Sequence, residues 1–433
     1  MQLLYKLPRP VIAANDITRL RIAITVFFTV DGFVFASWAV RIPAVKSAIG
    51  ASPASLGLAL LGVSGGAIAT MTLTGLLCRR FGSPRVTVVA CAWLSAALLL
   101  PALARSALEL GLALFVFGVG YGGLNVAMNS LAVDLVAAVR RPIMPSFHAA
   151  WSLGGLAGSV LGGLAASALS PLAHFSLVCL LGLAVTVTCG RVILTRPVPA
   201  PDPAGSAGSA ADETTPQEAW EEAPNGGLPT RAGPAKGAAD AARAGVWRTV
   251  LLLGAIALCS SYGEGAVSDW GALHLRQDLG AAAGLAAAGY ASFALAEACG
   301  RLAGTWLLAR LGQTRVLVFG GIIPCVGMLD AALAPVLPLA LVGFALTGLG
   351  VANAFPTAMS RVGVLAGPNG VAAASTLGYA GFLLGPPVIG FLATAVSLRV
   401  ALTSVSLLAV VAIALARTAS ANQPAQAPRV TRT

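Results

Sequence analysis

The chain has 433 residues, of which 57% are hydrophobic and only 10% charged, and its formal net charge is +11. A soluble domain carries roughly 25% charged residues, so this composition excludes an ordinary water-soluble enzyme. The placement of the basic residues, set out below, excludes a nucleic-acid binder.

Residues near the N-terminus include Lys6, Arg9, Arg19 and Arg21 but no compact apolar core with a small-residue cleavage site. The first apolar run, 22–40, is therefore expected to act as an uncleaved signal. Eleven more runs follow at 54–78, 86–104, 110–132, 146–168, 172–194, 248–268, 283–307, 315–334, 336–358, 371–394 and 398–416. Each matches the roughly 20 helical residues that cross a hydrocarbon core, which predicts an all-α membrane protein of twelve spans.

Ionisable residues inside such spans are costly and point to function. Asp31 lies about ten residues into the first span, roughly 15 Å along a helix, near the midplane. Helical spacing puts Phe35 and Trp38 on its stripe, so Asp31, Phe35 and Trp38 are candidate solute contacts. The plainer alternative is that Asp31 locks a neighbouring helix. The second span ends in the basic turn Arg80-Phe81-Gly82-Ser83-Pro84-Arg85-Val86. In the fourth, Gly118-Val119-Gly120-Tyr121-Gly122-Gly123 has the look of a dinucleotide loop, but no strand precedes it. Asn125 and Asn129 follow at i and i+4, presenting amides to one face. The fifth opens with His148 and Trp151. His148 is either a helix-end contact or a coupling group, since histidine titrates closest to neutral pH. Gly154, Gly155, Gly158, Gly162 and Gly163 then mark a close helix–helix interface.

From Pro197 to about Gly245 the chain is Ala-, Pro-, Gly- and Glu-rich without periodicity, which predicts a flexible linker. The seventh span holds Glu264-Gly265-Ala266-Val267-Ser268-Asp269-Trp270. Glu264 is the stronger candidate there, because Asp269 and Trp270 also fit an interfacial belt. A carboxylate in a low-dielectric cavity has its charged form disfavoured, which lets it carry a proton. The eighth span carries Glu297 and Arg301 at i and i+4, a spacing that lets them pair. Asn353 in the tenth span supplies an amide like those of the fourth, and Tyr379 in the eleventh either stacks on a solute ring or simply packs.

After the eighth span, Arg310-Leu311-Gly312-Gln313-Thr314-Arg315-Val316 repeats the turn at Arg80, displaced by 230 positions. Gly348-Leu349-Gly350 repeats Gly118-Val119-Gly120 at the same offset. A constant offset over such a distance means two related halves, and parallel repeats of this kind build a central substrate path in one transporter class. The expected organisation is a six-helix bundle at 1–196, a linker at 197–246, a second bundle at 247–418 and a loose tail at 419–433.

Of the 27 Lys and Arg residues, 21 fall on the side of the N-terminus. Arg41, Lys46, Arg105, Arg276 and Arg399 fall on the other, and Arg301 lies within a span. That asymmetry is the positive-inside pattern, with both termini cytoplasmic. The seven cysteines are scattered and show no metal-ligand or disulfide spacing. No cofactor motif and no Walker loop is present.

Twelve spans, a six-plus-six duplication, the two basic turns and the long linker resemble the major facilitator superfamily. The acid that usually precedes the turn arginine is replaced by Arg79 and Ala309. The second half resembles the fucose-permease branch and its rhizopine-associated relatives at Gly300-Arg301-Leu302-Ala303-Gly304-Thr305-Trp306-Leu307. Phe355-Pro356-Thr357-Ala358-Met359-Ser360 and Pro387-Val388-Ile389-Gly390-Phe391 carry the same likeness. That branch's acids on spans one and four fall on Ala39 and Asn125 here.

The resemblance implies a monomeric secondary transporter of the cytoplasmic membrane. It would carry a small polar solute (sugar, polyol or cyclitol-like) by alternating access, coupled to protons as a symporter, with the lipid bilayer as its other partner. Expected solute contacts are Asp31, Phe35, Trp38, Asn125, Asn129, Trp151, Asn353 and Tyr379. Proton-coupling candidates are Asp31, Glu264, Glu297 and His148, and Arg80, Arg85, Arg301, Arg310 and Arg315 are structural or gating. Efflux of drugs or metabolites, and a non-transporting sensor of the same fold, are the alternatives.

Overall fold

The computed structural model describes residues 14–139, 143–196 and 236–421, and among them there is no β-strand. Eleven helices are long and apolar enough to cross a membrane. The longest, Ala283–Leu333, has 51 residues; at 1.5 Å per residue it would reach about 76 Å, more than twice a hydrocarbon core. It breaks at Gly312, whose φ of 76° is open to glycine and strained for most other residues. The chain thus crosses twelve times, as the apolar runs predict.

The first six helices are α1 (Ala14–Ile49), α2 (Pro53–Phe81), α3 (Ser83–Ala97), α4 (Ala107–Val139), α5 (Met144–Ala168) and α6 (Pro171–Thr195). Helix α7 (Lys236–Ala266) continues through a π-helical segment, Val267–Gly271, into a last α-helical stretch, Ala272–Gln277. Helices α8 (283–311) and α9 (313–333) flank Gly312. Helix α10 comprises Leu337–Val351 and, after a two-residue turn, 354–366, while α11 (368–395) starts after a second break at Gly367. Helix α12 is Leu398–Ala421.

Lys236 lies inside the stretch expected to be linker. Residues 236–244 read Lys-Gly-Ala-Ala-Asp-Ala-Ala-Arg-Ala; alanine is the best helix former, so the low hydropathy that suggests a linker coexists with helical backbone. Positions 1–13, 197–235 and 422–433, which include most of the expected linker and tail, lie outside the described residues.

Helices α1–α6 pack among themselves and α7–α12 among themselves, and the two groups meet mainly along α5 with α8 and α2 with α11. Glycines set the closest approaches. A Cβ at Gly154 would run into the carbonyl oxygen of Thr29, and one at Gly32 into that of Trp151, so α1 and α5 touch backbone to backbone. Gly163 likewise meets Gly284 and Ala287 of α8. Gly154→Val is therefore expected to cut the yield of monodisperse detergent-extracted protein several-fold, since overpacking costs about 1–3 kcal/mol. Gly75→Ala, where nothing lies within 4 Å, should leave the yield at wild type.

Three hydrogen bonds join the groups among the described residues. Ala54 N donates to Thr394 Oγ1 (3.0 Å) and Ser64 Oγ to Phe382 O (3.3 Å). Arg301 donates to Ser152 Oγ (2.9 Å). The first lies at the end away from the termini, where α2 begins and α11 ends; the other two lie nearer mid-depth.

Candidate functional site

A chain of polar contacts crosses the middle of the molecule. Asp31 is fully buried on α1, and its Oδ2 accepts a hydrogen bond from Trp151 Nε1 at 2.8 Å. Its Oδ1 has no partner among the described residues. The guanidinium of Arg301 lies over the Trp151 ring, 5.7 Å from the centroid. It donates to Glu297 Oε1 at 2.7 Å and lies 3.9 Å from Glu264 Oε1. The i, i+4 spacing of Glu297 and Arg301 thus forms the expected pair, and the structure adds Glu264 as a second carboxylate sharing the cation. The half-buried cation is thus hydrogen-bonded to one carboxylate and one hydroxyl, with the second carboxylate within ion-pair distance.

Beside this network, between the two helix groups, lies a cavity of about 100 Å³. Phe35, Tyr121, Asn125, Ser268, Asp269, Tyr379 and Phe382 line it, together with apolar side chains of α2. Phe35 connects cavity and network: its ring stacks on Tyr121 (centroids 5.3 Å) and lies 6.5 Å from both Trp151 and Tyr290.

The expected solute contacts separate into two sets. Phe35, Asn125 and Tyr379 line the cavity, with Tyr379 edge-on to Phe355 at 6.4 Å. Asp31 and Trp151 lie in the network behind Phe35. Trp38 is 1% exposed and packs 6.4 Å from Phe175 of α6, away from the cavity. Its stripe faces the α5–α6 side of α1, and Phe35, about 40° round the helix from Asp31, is the residue that reaches the cavity edge. Asn129 is turned back on its own helix, Nδ2 donating to Asn125 O at 2.8 Å. Asn353 holds α10 against α8 by donating to Gly300 O at 2.7 Å. One amide is thus tied to its own helix and the other to a neighbouring one, uses that spacing cannot separate from solute binding.

His148 is exposed and stands edge-on to Phe28 at 5.5 Å. The arginines of the basic turns act locally. Arg80 lies over Phe81 (5.4 Å) and Arg310 over Trp306 (5.8 Å), while Arg85 reaches Phe81 O at 3.5 Å. Among the described residues none of Arg80, Arg85, Arg310 or Arg315 enters an ion pair, consistent with the missing acids at Arg79 and Ala309.

Tyr121, Ser268, Asp269 and Phe382 line the cavity without having been singled out as solute contacts. Five residues after Glu264, Asp269 would sit about 140° from it on a regular helix. The π-helical turn at Val267–Gly271 changes that phase, and π-bulges of this kind occur frequently at functional sites. Trp270, which could have belonged to an interfacial belt, is fully buried.

Two groups of six membrane-crossing helices around a mid-depth cavity define a membrane transport protein. A sequence profile described as Major Facilitator Superfamily matches residues 22–380 and 253–432, and the chain belongs to that superfamily, whose members are transporters and not enzymes. It is 32% identical over 393 residues to an uncharacterized MFS-type transporter of Yersinia pestis, covering 90% of this chain and 93% of the relative. It is 27% identical over 403 residues to the membrane protein MosC of Rhizobium meliloti, covering 92% and 89%. Among solved structures, a bacterial homolog of the human lysosomal transporter Spinster, inward-facing and unoccupied, superposes with a TM-score of 0.74. The identity is 15%, covering 95% of this chain and 98% of that one. The nucleoside transporter NupG superposes with a TM-score of 0.64 at 15% identity, covering 93% and 98%.

Proposed function

We propose that the protein is a proton-coupled secondary carrier that moves a small polar solute across the cytoplasmic membrane by alternating access, as a monomer with both termini in the cytoplasm. The observation that carries this reading is the cavity between the helix groups. One wall presents Tyr121 and Asn125 and the other Ser268, Asp269 and Tyr379, so a solute held there touches both moving bodies. The buried acids Asp31 and Glu297 and the half-buried Glu264 supply proton sites near that cavity. The basic-residue asymmetry supports the orientation. Leu60, Val63, Ile68 and Met71 along one side favour a second reading, export of amphipathic compounds.

The test is transport in proteoliposomes holding the purified protein. Labelled sugars, polyols and amphipathic compounds are offered first in counterflow and then with an imposed pH gradient. Accumulation of a polar solute that collapses with a protonophore supports the proposal. Counterflow of amphipathic compounds alone selects the second reading, and no flux of any compound returns the chain to a sensor role.

A further inference from the structure

We propose that the cavity binds the protonated amine of its solute through Asp269, so that the carried class is small organic ammonium compounds. This rests on the reading of the cavity as the solute site and narrows its substrate. Asp269 is the one carboxylate in the lining, and no Lys, Arg or His side chain accompanies it. The nearby cation that could have neutralised it, Arg301, is shared between Glu297 and Glu264. Among the described residues Asp269 has no ion-pair partner. A charge sheltered from water without a counterion is costly, and a ligand ammonium removes that cost on binding. An anionic solute would meet repulsion from the carboxylate.

The remaining walls suit the same class. Rings of Phe35, Tyr121, Tyr379 and Phe382 surround the space, and aromatic faces attract ammonium groups, including quaternary ones. Asn125 and Ser268 give the solute body a neutral amide and a hydroxyl. Asp269 lies within the π-helical turn and lines this space.

The experiment compares matched pairs on the full-length protein in detergent by thermal shift and equilibrium binding. Choline is set against 3,3-dimethylbutan-1-ol, and glucosamine against glucose and N-acetylglucosamine. The expected result is that at least one amine binds about tenfold or more tighter than its neutral partner, one decade being the scale of a single charge contact. Asp269→Asn should erase that preference while Asp269→Glu keeps it. Equal binding of amine and neutral partner, no amine binding at millimolar concentration, or a preference that survives Asp269→Asn would each overturn the proposal. Should the asparagine variant not fold, equal wild-type binding of amine and neutral partner still overturns the proposal, and loss of the preference in Asp269→Ser supports it.

Counterflow of the bound amine separates this proposal from the transport reading. Binding through Asp269 without flux keeps the ammonium site and removes transport. Flux of a neutral polyol with no role for Asp269 keeps transport and removes the ammonium site.

Discussion

Arg301→Ala should remove most of the folded protein. Glu297 is 1% exposed and its nearest cation is the Arg301 guanidinium at 2.7 Å, with Glu264 drawn to the same group. Deleting one partner of a buried pair costs about 3–5 kcal/mol, against a total stability of about 5–15 kcal/mol for a typical fold. The expected readouts are a severe loss of monodisperse protein by size exclusion and a markedly lower unfolding temperature in the same detergent. Arg301→Lys should fall in between: an ammonium reaches one carboxylate but lacks the planar fork that also holds Ser152. Glu297→Gln should lower stability less than Arg301→Ala, because the amide oxygen still accepts a hydrogen bond. Wild-type yield and unfolding temperature for Arg301→Ala would show that the network does not support the fold.

The amide variants Asp31→Asn and Glu264→Gln should abolish pH-driven accumulation while leaving counterflow largely intact. Uphill movement requires a group whose protonation differs between the two faces, whereas counterflow needs only alternating access of the loaded site. Asp31 suits such a role: one oxygen is fixed by Trp151 and the other has no partner among the described residues, which leaves a place for a proton. An asparagine can keep the Trp151 contact through its amide oxygen but cannot titrate. Glu264 stands 3.9 Å from Arg301, so its charge affects the cation that touches the other helix group. Flux measured with and without a pH gradient in proteoliposomes separates the two effects. If both variants still concentrate solute against its gradient, the proton is carried elsewhere, and Glu297 or His148 is tested next.

The scaffold was largely legible in the chain. Apolar run length located the crossings, the 230-residue offset pointed to the duplication, and Gly154 and Gly158 lie where α5 meets α1. The Glu297–Arg301 pair followed from i, i+4 geometry alone. What escaped was phase. Asp269 was left among interface residues because its depth near the end of the seventh span fits an interfacial belt, and a period of 3.6 could not anticipate the π-helical turn at Val267–Gly271. Trp38 shares a stripe with Asp31, but which side of a stripe faces cavity or neighbour depends on partners far away in sequence, here Phe175. Asn129 and Asn353 have the composition of solute contacts, but one bonds back to its own helix and the other to a neighbouring helix, a distinction that appears only once their acceptors, Asn125 O and Gly300 O, are located. The start of α7 was hidden by composition, since an alanine-rich linker and an alanine-rich helix read alike.

The contacts of Arg301 have one more consequence. Its anionic partners, Glu297 and Glu264, belong to its own helix group; toward the opposite group it offers a hydrogen bond to the Ser152 hydroxyl and a face against the Trp151 indole. Parting the groups at this level pulls no opposite charges asunder. The cation travels with its counterions, and the joint gives up about 1.5–3 kcal/mol for one charged hydrogen bond in place of the larger penalty of splitting an ion pair. Such a joint behaves as a neutral latch. Its release should vary little with ionic strength, in contrast to gates fastened by ion pairs exposed at a rim, which loosen as salt rises.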